Sequence, residues 1–541
     1  MKKYISYKQN PKIEKQYDAI CIGSGLGSLT TASLLARAGK KVLVLEKHYT
    51  PGGFTHTFTR NDYEWDVGLH YVGEVNKEGT LLKILFDDIT DGNLLWEDMG
   101  EVYDRIVIEG KEYEFVKGVS NFKERMKLYF PTEKDAIAID KYVSLLFEAS
   151  AAGKNYYLEK ALPKFVAAIA GSFLRRKLST FYKRTTLEVL QSLTDNETLI
   201  AVLSAQFGDY GMPPAQSSFA IHAVVAKHYL NGGAYPIGGS GEIFETIAPS
   251  ILKNGGDIYI NAGVTEILIE NGDKAVGVKL KGGKEIKAPL IISGTGAEIT
   301  YNHLISKQDQ QQIPFLNDLK KLKASASHIS LYIGLEETAE QLGLQKANYW
   351  IYPCGIDHDK AVADFEMDVN NEFPVVYISF PSAKDPKFLD KYPGRATIEI
   401  ITISPYKWFE KWEGTRWKKR GEEYDAFKEQ LAQRLLTHLF KVEPQLKGKI
   451  AFYELSSPLT TKNFCSYTNG EIYGLDHTPE RFDQKFLRPK SPFKNLYLTG
   501  QDIVSVGIGG ALISGVITAS AILNKNILGE IIKKKKNNIP I

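Results

Sequence analysis

Gly23-Ser24-Gly25-Leu26-Gly27-Ser28 follows the apolar run Ala19-Ile20-Cys21-Ile22, and Glu46 closes a second run, Val42-Leu43-Val44-Leu45. Those residue types at that spacing can hold a pyrophosphate and a ribose. Gly23 allows a tight turn out of a strand, and Gly25 brings backbone N–H groups to phosphate with no Cβ between. A helix opening at this turn adds unpaired N–H groups and the positive end of its dipole. Glu46 lies 21 residues past Gly25 (46 − 25), where a carboxylate accepts hydrogen bonds from an adenosine ribose. Its charge would repel a 2′-phosphate, which favours FAD or NAD over NADP. Ser28 stands where the fingerprint has its third glycine.

The next segment turns the expectation from NAD towards FAD. Lys47 and Pro51-Gly52-Gly53-Phe54 follow the acid. In FAD enzymes of the amine-oxidase and phytoene-desaturase type, a Gly-Gly pair here lets the chain cross close to the flavin diphosphate and ribityl chain. Far downstream, Gly500-Gln501-Asp502 leads into an uncharged run containing Gly509 and Gly510, and is expected to complete the site. The expected cofactor-binding residues are Gly23, Gly25, Gly27, Ser28, Glu46, Lys47, Gly52, Gly53, Val264, Gly500, Asp502, Gly509 and Gly510. A second strand-then-glycine pattern, Ser293-Gly294-Thr295-Gly296, has Ile at 299 where a glycine would be needed, and is a poor second dinucleotide site. Without a complete NAD(P) domain, NAD(P)H would have to visit the flavin transiently, or electrons must come from elsewhere.

Three histidines could do proton chemistry, because imidazole titrates near neutrality. His56 and His70 flank the segment expected near the flavin, and His477 sits in Tyr473-Gly474-Leu475-Asp476-His477. Each serves equally well as a satisfied structural residue, and protonation of a carbon need not use a dedicated acid. Asp66 could hold backbone amides near the diphosphate. No metal-ligand spacing is evident.

These residues require a scaffold that brings both ends of the chain together. The pattern predicts an α/β fold: a discontinuous Rossmann-type domain (17–75, 235–310 and 451–525) with an inserted α+β substrate domain (76–234 and 311–450) and a basic tail (526–541) whose run Lys533 to Lys536 is expected to be solvated and frayed. Residues from about 80 to 230 read as helical. Ile503 to Leu523 has the length of a membrane span, but its glycines and hydroxyls predict a buried helix whose N-terminus faces the cofactor. Lys+Arg 67 against Asp+Glu 64 gives +3, which offers no argument for nucleic acid. Cys21, Cys354 and Cys465 form no CxxC, which argues against a redox-active disulfide and fits a reducing compartment. The first ten residues lack the apolar run of a signal peptide.

From residue 17 to about 525 the chain resembles the retinol saturase branch of the phytoene desaturase and carotenoid isomerase superfamily. The elements that carry the resemblance include Gly52-Gly53-Phe54-Thr55-His56-Thr57-Phe58, Trp65-Asp66-Val67-Gly68-Leu69-His70-Tyr71-Val72-Gly73 and Leu496-Tyr497-Leu498-Thr499-Gly500-Gln501-Asp502. The resemblance implies an FAD oxidoreductase acting on a carbon–carbon double bond of a lipophilic polyene, retinoid- or carotenoid-like. Saturation leads; desaturation, redox-neutral isomerisation with reduced FAD, or an isoprenoid carrier without turnover are the alternatives. An amine substrate is disfavoured, because no aromatic pair suited to caging an amine is evident in the C-terminal flavin segment. A polyene partner implies peripheral membrane contact, expected on the cytoplasmic face. Leu158 to Arg184 suits that role, with Phe165, Val166, Ile169, Phe173 and Leu174 set among Lys160, Lys164, Arg175, Arg176, Lys177, Lys183 and Arg184. The same segment reads equally as a lid helix. The oligomeric state is unspecified.

Overall fold

The computed structural model describes residues 2–13, 15–162 and 164–537. A six-stranded sheet, parallel throughout, forms one layer, in the order 5–6, 257–260, 42–45, 19–22, 291–293 and 496–498. The strands Ala19–Ile22 and Val42–Leu45 are buried on both faces, as a helix-covered parallel sheet requires. Strands from three distant segments thus share one sheet, and Ile5–Ser6 adds an edge that the sequence did not announce.

Helix Leu26–Arg37 leaves the glycine turn and is crossed closely by helix Gly507–Leu523. A Cβ at Gly515 would lie 2.5 Å from Thr30 Cβ and 2.8 Å from the Gly27 carbonyl oxygen. That approach explains the small residues in the uncharged run. No described helix alone is long and apolar enough to cross a membrane, although the bent pair Gly507–Leu523 and Ile527–Asn537 passes by length and composition at 111°.

The inserted region is built on a seven-stranded mixed sheet, in the order 450–456, 328–335, 396–403, 376–379, 348–352, 102–108 and 111–116. Three expectations are corrected. Residues 80–230 are not uniformly helical, because Trp96–Asp98, Val102–Ile108 and Lys111–Val116 are strands. The overlooked signal was a hairpin turn at Glu109-Gly110, both with positive φ, between alternating apolar residues. Strand Ile450–Ser456 overlaps the segment assigned to the cofactor domain, yet it pairs with His328–Leu335 in this second sheet. The basic tail is not merely solvated. Ile527–Asn537 is a helix that buries Ile527 and Ile531, with Lys534 paired to Asp88 at 3.1 Å and Lys535 to Asp87 at 3.2 Å.

Gly515→Val should force the two crossing helices apart and destabilise the protein by about 1–3 kcal/mol. The measurement is the thermal unfolding midpoint, and an unchanged midpoint would contradict the close crossing.

Candidate functional site

One cavity of about 1650 Å³ runs from the glycine turn into the inserted region. Pockets for a single small ligand commonly hold about 300–1,000 Å³, so this one has room for a dinucleotide and a second ligand.

Its first half is built from backbone. A Cβ at Gly25 would meet nothing within 4 Å, so the turn faces open space. Gly53, at φ +60°, passes so close that a Cβ on it would lie 2.9 Å from Gly25 Cα. Ser24 donates to Glu46 Oε2 through its N–H (2.8 Å) and hydroxyl (2.6 Å), and its Oγ accepts from the Gly52 N–H at 2.9 Å. The acid, the turn and the Gly-Gly crossing are therefore one hydrogen-bonded unit. Helices Leu26–Arg37 and Gly507–Leu523 both begin at this cavity without a side-chain cap, leaving N–H groups for an anion.

Of the residues expected to bind the cofactor, Gly23, Gly25, Gly27, Ser28, Glu46, Lys47, Gly52, Gly53, Val264, Gly500, Gly509 and Gly510 line this cavity. Asp502 does not. Its Oδ2 accepts from Ala297 N–H (2.7 Å) and its Oδ1 from Leu475 N–H (3.0 Å), so it clamps two loops behind the wall. Ser28 is accommodated because residue 294 is glycine: a Cβ there would sit 2.0 Å from Ser28 Oγ. The second glycine pattern supplies clearance for the first. Asp66 accepts from Tyr235 OH and Ser240 N–H, and so fixes the 238–241 turn rather than a diphosphate.

The histidines separate. His56 stays on the nucleotide side, with Nδ1 2.5 Å from the Gly53 carbonyl and its ring 4.8 Å from His48, and burial lowers its pKa to about 4. His477 is fully buried away from the cavity. Its Nε2 accepts from Val506 N–H (2.9 Å), and its Nδ1 lies 3.0 Å from Arg481, so it positions the start of helix Gly507–Leu523. His70 does line the cavity. Its Nδ1 lies 2.8 Å from Glu399 Oε2, close but not aligned as a hydrogen bond. Burial lowers His70 to about 4, aided by the nearby Lys384 ammonium, while burial pushes Glu399 up to about 8. Lys384, buried and lowered to about 7 chiefly by desolvation, donates to the His70 carbonyl (3.0 Å) and Ser379 Oγ (2.8 Å). At neutral pH His70 is a neutral imidazole.

The second half is walled by Tyr71, Tyr229, Trp350, Tyr377 and Tyr473, with Val225, Ile401 and Ile403. Asp209 sits among these rings. It was missed, although Phe207-Gly208-Asp209-Tyr210-Gly211, an acid between two glycines in an apolar stretch, is a readable signal. Gly208 and Gly211 let Trp350 and Tyr473 press in, since their Cβ positions would lie 2.6 Å and 3.0 Å from those rings.

The family model for flavin containing amine oxidoreductase matches residues 29–523. The all-trans-retinol 13,14-reductase of Danio rerio is 36% identical over 534 residues, covering 95% of this chain and 87% of that protein. A chloroplastic prolycopene isomerase of an Oncidium hybrid cultivar is 27% identical over 489 residues, covering 86% and 76%. Among solved structures, an oxidoreductase from Methanosarcina mazei aligns with a TM-score of 0.60 at 16% identity, covering 94% of this chain and all of that one, a likeness of fold. The residues lining the first half fit FAD.

Glu46→Gln keeps the size of the side chain but removes the carboxylate expected to receive a ribose hydroxyl. A hydrogen bond to a charged group is worth roughly 1.5–3 kcal/mol, so FAD affinity should fall at least about tenfold. Titration of apoprotein with FAD, followed by flavin fluorescence, measures this; an unchanged affinity would remove Glu46 from the site.

Proposed function

The chain belongs to the flavin containing amine oxidoreductase family and is an FAD-dependent oxidoreductase; from that premise we propose that it saturates one double bond of a long, apolar, retinoid-like polyene. The observation that carries this reading is the aromatic and aliphatic second half of the cavity, continuous with the FAD half. The 36% identical Danio rerio relative, an all-trans-retinol 13,14-reductase, supports it. FAD, when bound, supplies hydride chemistry at its ring system. The protein's own contribution is to hold the polyene along the Tyr71, Trp350 and Tyr377 walls, exclude water, and keep His70 neutral so that no cation faces an apolar substrate. NAD(P)H visiting the site transiently is one source of electrons.

The similarity to a prolycopene isomerase favours one second reading, cis–trans isomerisation with no net electron transfer. Mixing anaerobically reduced holoenzyme with a retinoid polyene separates the two. Saturation reoxidises the flavin and removes one double bond from the polyene's absorption. Isomerisation leaves the flavin reduced and changes only geometry, and polyene that gains conjugation on oxidised enzyme would point to desaturation.

Peripheral contact with the cytoplasmic face of a membrane is the companion proposal. Helix Lys164–Tyr182 leaves Ile169 81% and Phe173 77% exposed, near the solvent-exposed Arg176, Lys177, Lys183 and Arg184. The rim is narrower than the sequence suggested, because Lys160 and Arg175 are buried, bonded to the Ile503 carbonyl and Glu159. The side chains of Lys164, Phe165 and Val166 lie outside the described residues. Leu158, half exposed, also lines the cavity, which supports a contact that reaches the cavity from this side. Replacing Ile169 and Phe173 together by Ser should lower cosedimentation with anionic phospholipid vesicles several-fold without changing the unfolding midpoint. Equal cosedimentation would exclude this face as the contact.

A further inference from the structure

Two carboxyl groups and one phenol form a chain of three proton-bearing groups at the substrate end of the cavity. Tyr71 OH lies 2.9 Å from Asp104 Oδ2 and 3.3 Å from Asp209 Oδ2. It has one proton and two carboxyl oxygens to satisfy. Asp104 is fully buried and already served as an anion, receiving Gln206 Nε2 on Oδ2 (2.9 Å) and Asn348 Nδ2 on Oδ1 (2.9 Å). Those donors draw the Tyr71 proton to the Asp104 side. Asp209 then faces the Tyr71 oxygen, and a carboxylate there would meet a lone pair and the nearby Asp104 charge, with no salt-bridge partner among the described residues. A protonated Asp209 removes the conflict, because its O–H can donate to the Tyr71 oxygen. The Tyr229 hydroxyl also hydrogen-bonds the Asp209 carboxyl group.

From this geometry we propose that Asp209 is a carboxylic acid in the resting protein and the proton donor to the polyene, a role resting on the saturation reading above. Burial first, then the Asp104 charge, hold its pKa well above the usual carboxylate range. Asp104 is raised as well, but its Asn348, Tyr71 and Gln206 bonds counter the shift. Asp209 lies on the cavity wall, flanked by Gly208 and Gly211, so the rings that grip a polyene close around it.

The step balances. A bound reduced flavin would supply hydride to one carbon of the double bond, and Asp209 would give its proton to the π pair at the other. Two C–H bonds would form while the alkene π bond, the Asp209 O–H bond and the N–H bond of the reduced flavin that gives the hydride break; the polyene is reduced, the flavin oxidised, and the Asp209 carboxylate accepts the Tyr71 or Tyr229 hydroxyl until it is reprotonated from water.

Asp209→Asn is the test. Expected are wild-type FAD content, polyene binding within about twofold by protein fluorescence quenching, and polyene reduction at least about 100-fold slower, the usual scale of general acid catalysis. Asp209→Glu should recover a measurable part of the rate. A second readout needs neither flavin nor substrate: the infrared spectrum of the apoprotein at pH 7 should contain a carboxylic C=O band that shifts in D2O and disappears in Asp209→Asn. If that variant does not fold, Asp209→Ser, also without the acid, takes its place. Reduction at the wild-type rate in the variant, or no loss of the infrared band, overturns the donor assignment alone. Wild-type protein that reduces no polyene overturns the assignment together with the saturation reading.

Discussion

Everything in this molecule is arranged around one backbone contact, at Gly27. A side chain there would meet the Gly500 amide nitrogen at 2.8 Å, and the Gly27 carbonyl in turn receives the close flank of Gly515. Chain segments separated by nearly the whole sequence touch here with no side chain between them. That contact sets the angle of helix Gly507–Leu523 against Leu26–Arg37, and so aims two uncapped N-termini into one cavity. The inserted region can vary in shape only so far as it leaves this junction closed. Its two chain entries, near residues 72 and 233, are stitched together by the short sheet of Val72–Gly73, Gly233–Pro236 and Trp96–Asp98.

Beyond the junction the site changes character. The nucleotide half works with fixed dipoles and one anion, Glu46, held by three hydrogen bonds. The other half is a low-dielectric chamber in which charge is suppressed. Burial drives His70 towards neutrality and Glu399 towards its acid form, and brings Lys384 close to losing its proton. A phosphate-bearing cofactor and an apolar ligand demand opposite solvents, and segments 52–56 and 67–72 line the one cavity between the two halves. Keeping both within one cavity lets the reactive ends of the two ligands meet.

The nucleotide half was legible because its chemistry is local. Gly23, Gly25 and Glu46 sit on consecutive strand–turn–helix–strand elements, so spacing in the sequence is spacing in space. Asp502 shows the limit: it follows Gly500 directly, yet its side chain turns behind the wall to Ala297 and Leu475. His477 likewise looked chemical by type and was spent on Val506. The substrate half could not be read, because Tyr71, Asp104, Asp209 and Asn348 meet only through the packing of the second sheet on helices. The strands at 102–116 are a different case, a local hairpin whose turn at Glu109-Gly110 was overlooked; only Val102–Ile108 also pairs with Asn348–Tyr352, more than two hundred residues away. In the tail, four lysines obscured the apolar pair Ile527 and Ile531.

The fit between Ser28 and Gly294 also couples two positions that are far apart in the sequence. With serine at 28, any side chain at 294 collides with its hydroxyl at 2.0 Å. With glycine at 28, the nearest remaining neighbour of a 294 methyl is the Ile22 carbonyl oxygen at 3.3 Å, a contact that a small shift can absorb. A side chain at 294 therefore fits beside glycine at 28 with little movement, but beside serine only if the hydroxyl turns away and the Ser28 Cβ at 3.2 Å gives slightly. The two positions are coupled: what one holds narrows what the other can hold.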